Sequence, residues 1–184
     1  MDPRYKDLQQ CIFANIEELR RFRQLVVNLV LSTDHFNAEI QQKRLLRWKE
    51  AFYPPQNNDR SSEFKLAVIT EHMMQAAHLV HTAQNWPTYR LWNERLFEEQ
   101  SIAYQSKRTK NNPIIDWYEN ELRLFDAHAI PLIEKLHDSG ILKNTLDLLT
   151  RVRENRREWS VAGGEIVEEM QSRVNFDVAV KEEN

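Results

Sequence analysis

The sequence predicts an all-α protein, an irregular bundle of roughly six or seven helices, on three observations. Only three glycines and six prolines occur in 184 residues, too little punctuation for many short strands and turns. Apolar residues recur at steps of three and four along most of the chain, which lines one face of a helix. No stretch of useful length alternates apolar with polar, as a half-buried strand would. No internal repeat or low-complexity run is present, so the helices are expected to pack irregularly and not along one coiled seam.

In chain order, Leu8 and Ile12 are spaced to give the apolar edge of a turn or short helix. Asn15 followed by Glu18 has the spacing of a helix cap with its reciprocal partner. Leu19, Phe22, Val26, Leu29 and Val30 then form one apolar face. Thr33 or Asp34 suits the next N-cap, because a short side-chain oxygen there accepts from free amides of the first turn. The helix that follows, about 36–52, places Phe36, Ile40, Leu45 or Leu46, and Trp48 inward. Pro54 and Pro55 end it, before a polar loop.

Ser61 or Ser62 opens a long helix to Val80, with Leu66, Ile69, Met73, Ala76, Ala77 and Val80 as its apolar stripe. Trp86-Pro87 breaks the run, since proline disfavours helix in the residue before it and suits the first turn after it. Tyr89, Leu91, Trp92, Leu96 and Phe97 carry the next helix to about Ser106. After a polar loop, Pro113 begins a helix through Leu136 on Trp117, Leu122, Phe125, Ala129 and Leu132. Pro131 is expected to kink it, and Gly140 to close it in the left-handed conformation. A last helix from about Asn144 to Val161 is expected to break or bend at Gly163-Gly164. One domain over residues 1–170 and a loosely held tail over 171–184 complete the reading.

Composition narrows the function classes. Hydrophobic residues at 41% and charged residues at 29% describe a solvated globule and not a disordered chain. The net charge is -3, with both signs intermixed, so no one-sided basic patch marks a nucleic-acid binder. Lys107-Arg108-Thr109-Lys110 reads as a solvated loop. Cys11 is the one cysteine, which excludes an intramolecular disulfide and fits a reducing compartment. No signal-peptide pattern opens the chain, and no run approaches the roughly 18 apolar residues of a membrane span. The expectation is a cytoplasmic protein with no nucleic acid partner and no membrane span.

Chemistry, if present, concentrates between Glu71 and Glu99, which hold three of the six histidines and two of the five tryptophans. His78 and His81 are three apart and share a helix face, with His72 about two turns before His78. That spacing suits a metal clip, which Glu71, Glu98 and Glu99 could in principle complete. The competing reading is a set of polar residues on a solvated or packed face. No glycine-bounded nucleophile turn and no phosphate-cradling glycine loop occurs.

The order Cys11-Ile-Phe-Ala-Asn15, Arg21-Phe-Arg-Gln-Leu-Val-Val27, Leu29-Val-Leu-Ser-Thr-Asp34, Gln75-Ala-Ala77, Trp86, Trp92-Asn-Glu-Arg-Leu-Phe-Glu-Glu99, Phe125-Asp126 and Pro131-Leu132 resembles the C-terminal half of the helical catalytic domain of class I 3',5'-cyclic-nucleotide phosphodiesterases. Trp117-Tyr118 and Glu154-Asn-Arg-Arg-Glu-Trp159 resemble a protist-like branch of that family. The resemblance covers about residues 11–170. It implies zinc and magnesium ions sharing a bridging hydroxide that opens the phosphate ring of cAMP or cGMP. Two cations supply hydroxide near neutral pH and offset the charge that develops on the phosphate.

The resemblance also implies which positions carry that chemistry, and several are altered. The family's HNxxH stretch does not occur in this chain. The one His-Asp dipeptide, His137-Asp138, falls in another segment and reads as surface charge near a helix end. At the family's later metal-binding Asp stands His78, which can bind zinc but lacks the anionic charge a harder ion prefers. His81 stands at a base-contacting Asn, Glu121 at the purine-gripping Gln, and Leu124 at the stacking Phe, with Arg123 at the Gly before it. The expected function is therefore a phosphodiesterase-family domain that is inactive as this partial chain. The alternative is a non-catalytic helical module that forms a homo- or hetero-oligomer with an active homologue through exposed apolar helices. A truncated gene, with HNxxH encoded upstream of Met1, is the third reading.

Overall fold

Asn15 starts the first helix as its spacing predicts: its side-chain oxygen accepts from the Glu18 amide at 3.0 Å. The Glu18 carboxylate reaches back to the amide of Ala14, one residue before the cap, at 2.8 Å. The structure, a computed structural model, describes residues 11–34, 37–54, 61–140 and 142–182, with side chains as far as Val174. Leu8, Phe36 and Pro55, for which the sequence made expectations, lie outside the described residues.

The helices are α1 (Ile16–Ser32), α2 (Ala38–Phe52), α3 (Ser62–Leu79), α4 (Trp86–Gln105), α5 (Pro113–Arg123), α6 (Ile130–Asp138) and α7 (Thr145–Glu182). A 3-10 turn, Val80–Ala83, follows α3, and a π turn, Leu124–Ala129, joins α5 to α6. No strand occurs among the described residues, which makes the protein all-α. No helix among them is long and apolar enough to cross a membrane. The chain divides into two compact units, Met1–Gln75 and Ala76–Asn184.

In the first unit the sequence misplaced several residues. The cap of α2 is Asn37, whose side chain accepts from the amides of Glu39 and Ile40, and not Thr33 or Asp34. Thr33 instead turns its hydroxyl back to the Val30 carbonyl at the end of α1. Leu45 and Leu46 are exposed, while Arg44 is buried, as is Trp48. Its guanidinium donates to the carbonyls of Ser32 and Asp34, satisfying acceptors that the end of α1 leaves open. A buried cation is placed by such acceptors, which periodicity does not reveal.

The stripe expected on α3 also differs, because Leu66 and Met73 are exposed while Val68, Glu71 and His72 are buried. Glu71 is held by Arg47 through two bonds of 2.8 and 3.2 Å, and Arg47 lies over the Phe64 ring at 5.1 Å. The His72 ring packs on Trp48, with centroids 4.5 Å apart, and its Nδ1 bonds the Val68 carbonyl. Trp48, Ala51 and Val68 form the small core of this unit.

The second unit has an aromatic core: Tyr89, Phe97, Phe125 and Trp159 are all fully buried. Proline explains the start of α4, where Asn85 caps and Pro87 sits in the first turn with no amide to waste. Tyr89 and Phe97 point inward as expected, whereas Leu91, Trp92 and Leu96 are exposed. Val80, expected inward, is exposed as well. The single helix expected over 113–136 is two, with the π turn ending just before Pro131. Proline cannot donate to the carbonyl four residues back, and a widened turn absorbs that mismatch. Gly140 closes α6 with a φ of +68, the left-handed conformation expected of it.

Helix α7 runs through Gly163-Gly164 without a break and continues past Met170 to Glu182, with Val174 buried. The glycines read as breakers because helix propensity is low, yet packing decides here. At Gly163 an added Cβ would lie 2.9 Å from the Trp159 indole and 3.0 Å from the Tyr118 ring. Those rings stack, and the Trp159 indole donates to the Tyr118 carbonyl at 3.2 Å. Glycine lets α5 approach. We expect Gly163→Ala to destabilise by about 1–2 kcal/mol through overpacking. Gly164→Ala, where the Cβ meets nothing within 4 Å, should stabilise by up to about 1 kcal/mol. Urea titrations of the two variants compare them directly; equal effects would show that the ring contact does not matter.

Candidate functional site

Two pairs of the residues singled out from sequence can be followed into the second unit. His78 is in the last turn of α3 and exposed, and His81 is in the 3-10 turn and half-buried. The two histidines meet across the junction of α3 and the turn. Burial lowers the pKa of His81; the bond its ring donates to the His78 carbonyl opposes that, and the neighbouring charge of His78 adds to it. The neutral imidazole is the favoured form.

The turn that carries His81 is clamped from across the core. The Asn155 amide on α7, 3% exposed, donates to the Thr82 carbonyl at 2.8 Å and the Gln84 carbonyl at 2.7 Å. The Thr82 hydroxyl donates to the Leu79 carbonyl at 2.7 Å. Asn155 lies within the Glu154–Trp159 stretch of the resemblance, but nothing in the sequence alone tied it to this turn.

Glu121 and Leu124 are three apart at the junction of α5 and the π turn. Leu124 is half-buried against the aromatic core. Glu121 is 7% exposed and accepts from the Tyr89 hydroxyl at 2.6 Å. The Trp117 indole donates to Asn93 Oδ1 at 3.0 Å. An indole N–H is donor-only, so the Asn93 amide nitrogen is left to donate, and it does so to Glu121. Burial raises the pKa of Glu121, and the two donated bonds work against that rise. The Tyr89 hydroxyl is pushed well above its ordinary value, first by burial and then by the Glu121 charge.

Tyr89, Asn93 and Trp117 were not singled out as partners of Glu121. A signal existed: Tyr89, Asn93 and Phe97 follow one another at four-residue steps, which puts a polar amide in the middle of a core face. Trp117 stands four residues before Glu121 in the same way. Such a residue requires a buried partner.

The other sequence candidates are engaged elsewhere. Glu71 belongs to Arg47 and His72 to the Val68 carbonyl, both in the first unit. Glu98 and Glu99 are exposed. His137 is exposed, its Nδ1 3.0 Å from the Thr145 hydroxyl.

Residues 5–151, most of the chain, match the family model described as 3'5'-cyclic nucleotide phosphodiesterase. The chain belongs to that family. No curated protein and no solved structure matched it.

Phosphodiesterase-family proteins generally use divalent metal ions, so the donor set must be tested against them. Among the described residues no group of three or more His, Cys, Asp or Glu side chains comes together to hold a metal ion. His78 and His81 therefore belong to no group of three such ligands. A zinc site normally draws three protein ligands, and magnesium prefers oxygen. The described residues do not fit the family's two-ion centre.

Proposed function

We propose that this chain is a phosphodiesterase-family helical domain that does not, by itself, hydrolyse cAMP or cGMP. The observation that carries the reading is the donor inventory: among the described residues no three His, Cys, Asp or Glu side chains come together, where a cluster of histidines and carboxylates would be needed. Cleaving a phosphodiester asks for cations that both generate hydroxide and offset the phosphate charge. A pair of imidazoles supplies neither the third protein ligand of a zinc site nor the oxygen ligands magnesium prefers. His78 remains the one position we assign to zinc, and His81, Glu121 and Leu124 are the side chains we assign to the nucleotide base. The chain is read as cytoplasmic. The test is direct: the purified protein, supplied with zinc and magnesium, is assayed for release of 5'-monophosphate from cAMP and from cGMP. We expect no turnover above the metal-only control, and metal-dependent turnover overturns the reading.

A second reading is favoured by one observation. Leu91, Trp92, Leu96 and Ile102 on α4 are all exposed, with Arg95 held 5.5 Å from the Trp92 ring. Exposed tryptophan flanked by leucine and arginine is typical of an interface. On this reading the chain is a regulatory module that associates with itself or with an active homologue. Sedimentation that finds an inert monomer at all concentrations, together with no capture of a phosphodiesterase homologue, would remove it.

A further inference from the structure

The buried cluster around Glu121 is more than a packing detail, because it places an ionisable carboxyl in the core with neutral partners only. Its donors are the Tyr89 hydroxyl and the Asn93 amide, both on α4, while Glu121 itself is on α5. Among the described residues no lysine, arginine or histidine pairs with it. Several charged groups on the surrounding elements are paired with one another. On α4 and α7, Arg90 holds Glu94 and Glu169, and Arg173 reaches Glu94. Arg156 on α7 holds Asp126 of the π turn through two bonds. On α5 itself Arg123 donates to Asn120. His128, in the π turn, is half-buried.

We propose that Tyr89, Asn93 and Glu121 form a proton-operated latch between α4 and α5, closed when Glu121 carries a proton and loosened when it is ionised. The physical basis is the cost of a buried charge. A carboxylate in the core needs a cation or several strong donors, and two neutral donors compensate it only in part. A carboxylic acid, by contrast, is satisfied by the same two neighbours and adds a donor of its own. The latch lies at the end of α5, where the helix gives way to the π turn. The Leu124 amide there already shares the carbonyls of Asn120 and Glu121. Ionisation therefore acts next to a departure from regular α-helical bonding.

The sign follows from proton linkage. An unfolded glutamate titrates near 4.5, and the folded one holds its proton to higher pH. Between the two values the folded state binds more protons, so stability falls as pH rises through that window and levels off above it. The pH response is opposite to that of an ion-paired carboxylate such as Asp126, whose pKa the Arg156 bonds lower.

The test uses the full chain. Amide hydrogen exchange and urea unfolding are followed between about pH 5 and about pH 8 for the wild type, Glu121→Gln and Tyr89→Phe. The wild type should exchange faster across α5 and the π turn, and unfold at lower urea, as pH rises through the Glu121 transition. Glu121→Gln, which keeps shape and hydrogen bonding without a titratable proton, should be flat over that interval and the more stable protein at its upper end. Tyr89→Phe removes a donor to the carboxylate and should move the transition to higher pH. A carbon-13 titration of the Glu121 carboxyl in the wild type reads its proton directly and does not depend on any variant folding. A carboxyl that is fully ionised at about pH 5, or a Glu121→Gln protein with the wild-type pH slope, overturns the proposal.

Discussion

Replacing Arg47 with methionine should destabilise the first unit by about 2–4 kcal/mol, because it strands the Glu71 carboxylate, only 4% exposed, without its cation. The guanidinium makes two bonds to that carboxylate and also covers the Phe64 ring, so the loss combines charge pairing with packing. Arg47 is itself about one-third exposed, which keeps the figure below that of a fully buried pair. The double variant Arg47→Met with Glu71→Met should recover most of the loss, since removing both charges also removes the desolvation penalty. Hydrogen exchange across α2 and α3 gives the local stability of each variant. A double variant as unstable as the single one would show that the ion pair is not what holds this corner.

Asn155→Ala should cost the second unit about 2–3 kcal/mol, the sum expected when one buried and one partly buried carbonyl lose their donor. The carbonyls are those of Thr82, within the 3-10 turn that carries His81, and of Gln84, which closes it. The same change should relax that turn, so the His81 titration, lowered mainly by burial, should move back toward the ordinary histidine value. Proton NMR of the imidazoles reads this separately from global stability. Asn155→Asp should be worse than alanine, because it sets a carboxylate against two carbonyl oxygens. A variant within about 0.5 kcal/mol of the wild type, with His81 unmoved, would mean that the turn holds itself.

Much of the fold was legible before any coordinates. Asn15 and its partner Glu18, the corner at Trp86-Pro87, the start at Pro113 and the left-handed Gly140 are local devices. Each depends on backbone chemistry within a few residues, and each stands where the sequence put it. The family was legible too, because the order of many weak segments constrains what no single motif does. The candidate site was legible only as a set of positions. Glu121 was singled out, but its partners on α4 were not, since Tyr89 and Asn93 lie about thirty residues away and meet it only after folding.

The sequence by itself determined that this protein is helical, where most helices begin and end, and to which family it belongs. Those properties rest on short-range preferences and on residue order. Only the tertiary structure decided that Arg44 and Glu71 are buried while Leu45, Leu46 and Leu66 are exposed. It alone decided that Gly163 serves a close ring contact and not a break, and that a carboxyl sits among neutral donors in the core. The physical reason is common to all four. Which face of a helix is dry, and which polar group inside is satisfied, depends on what another segment brings to it.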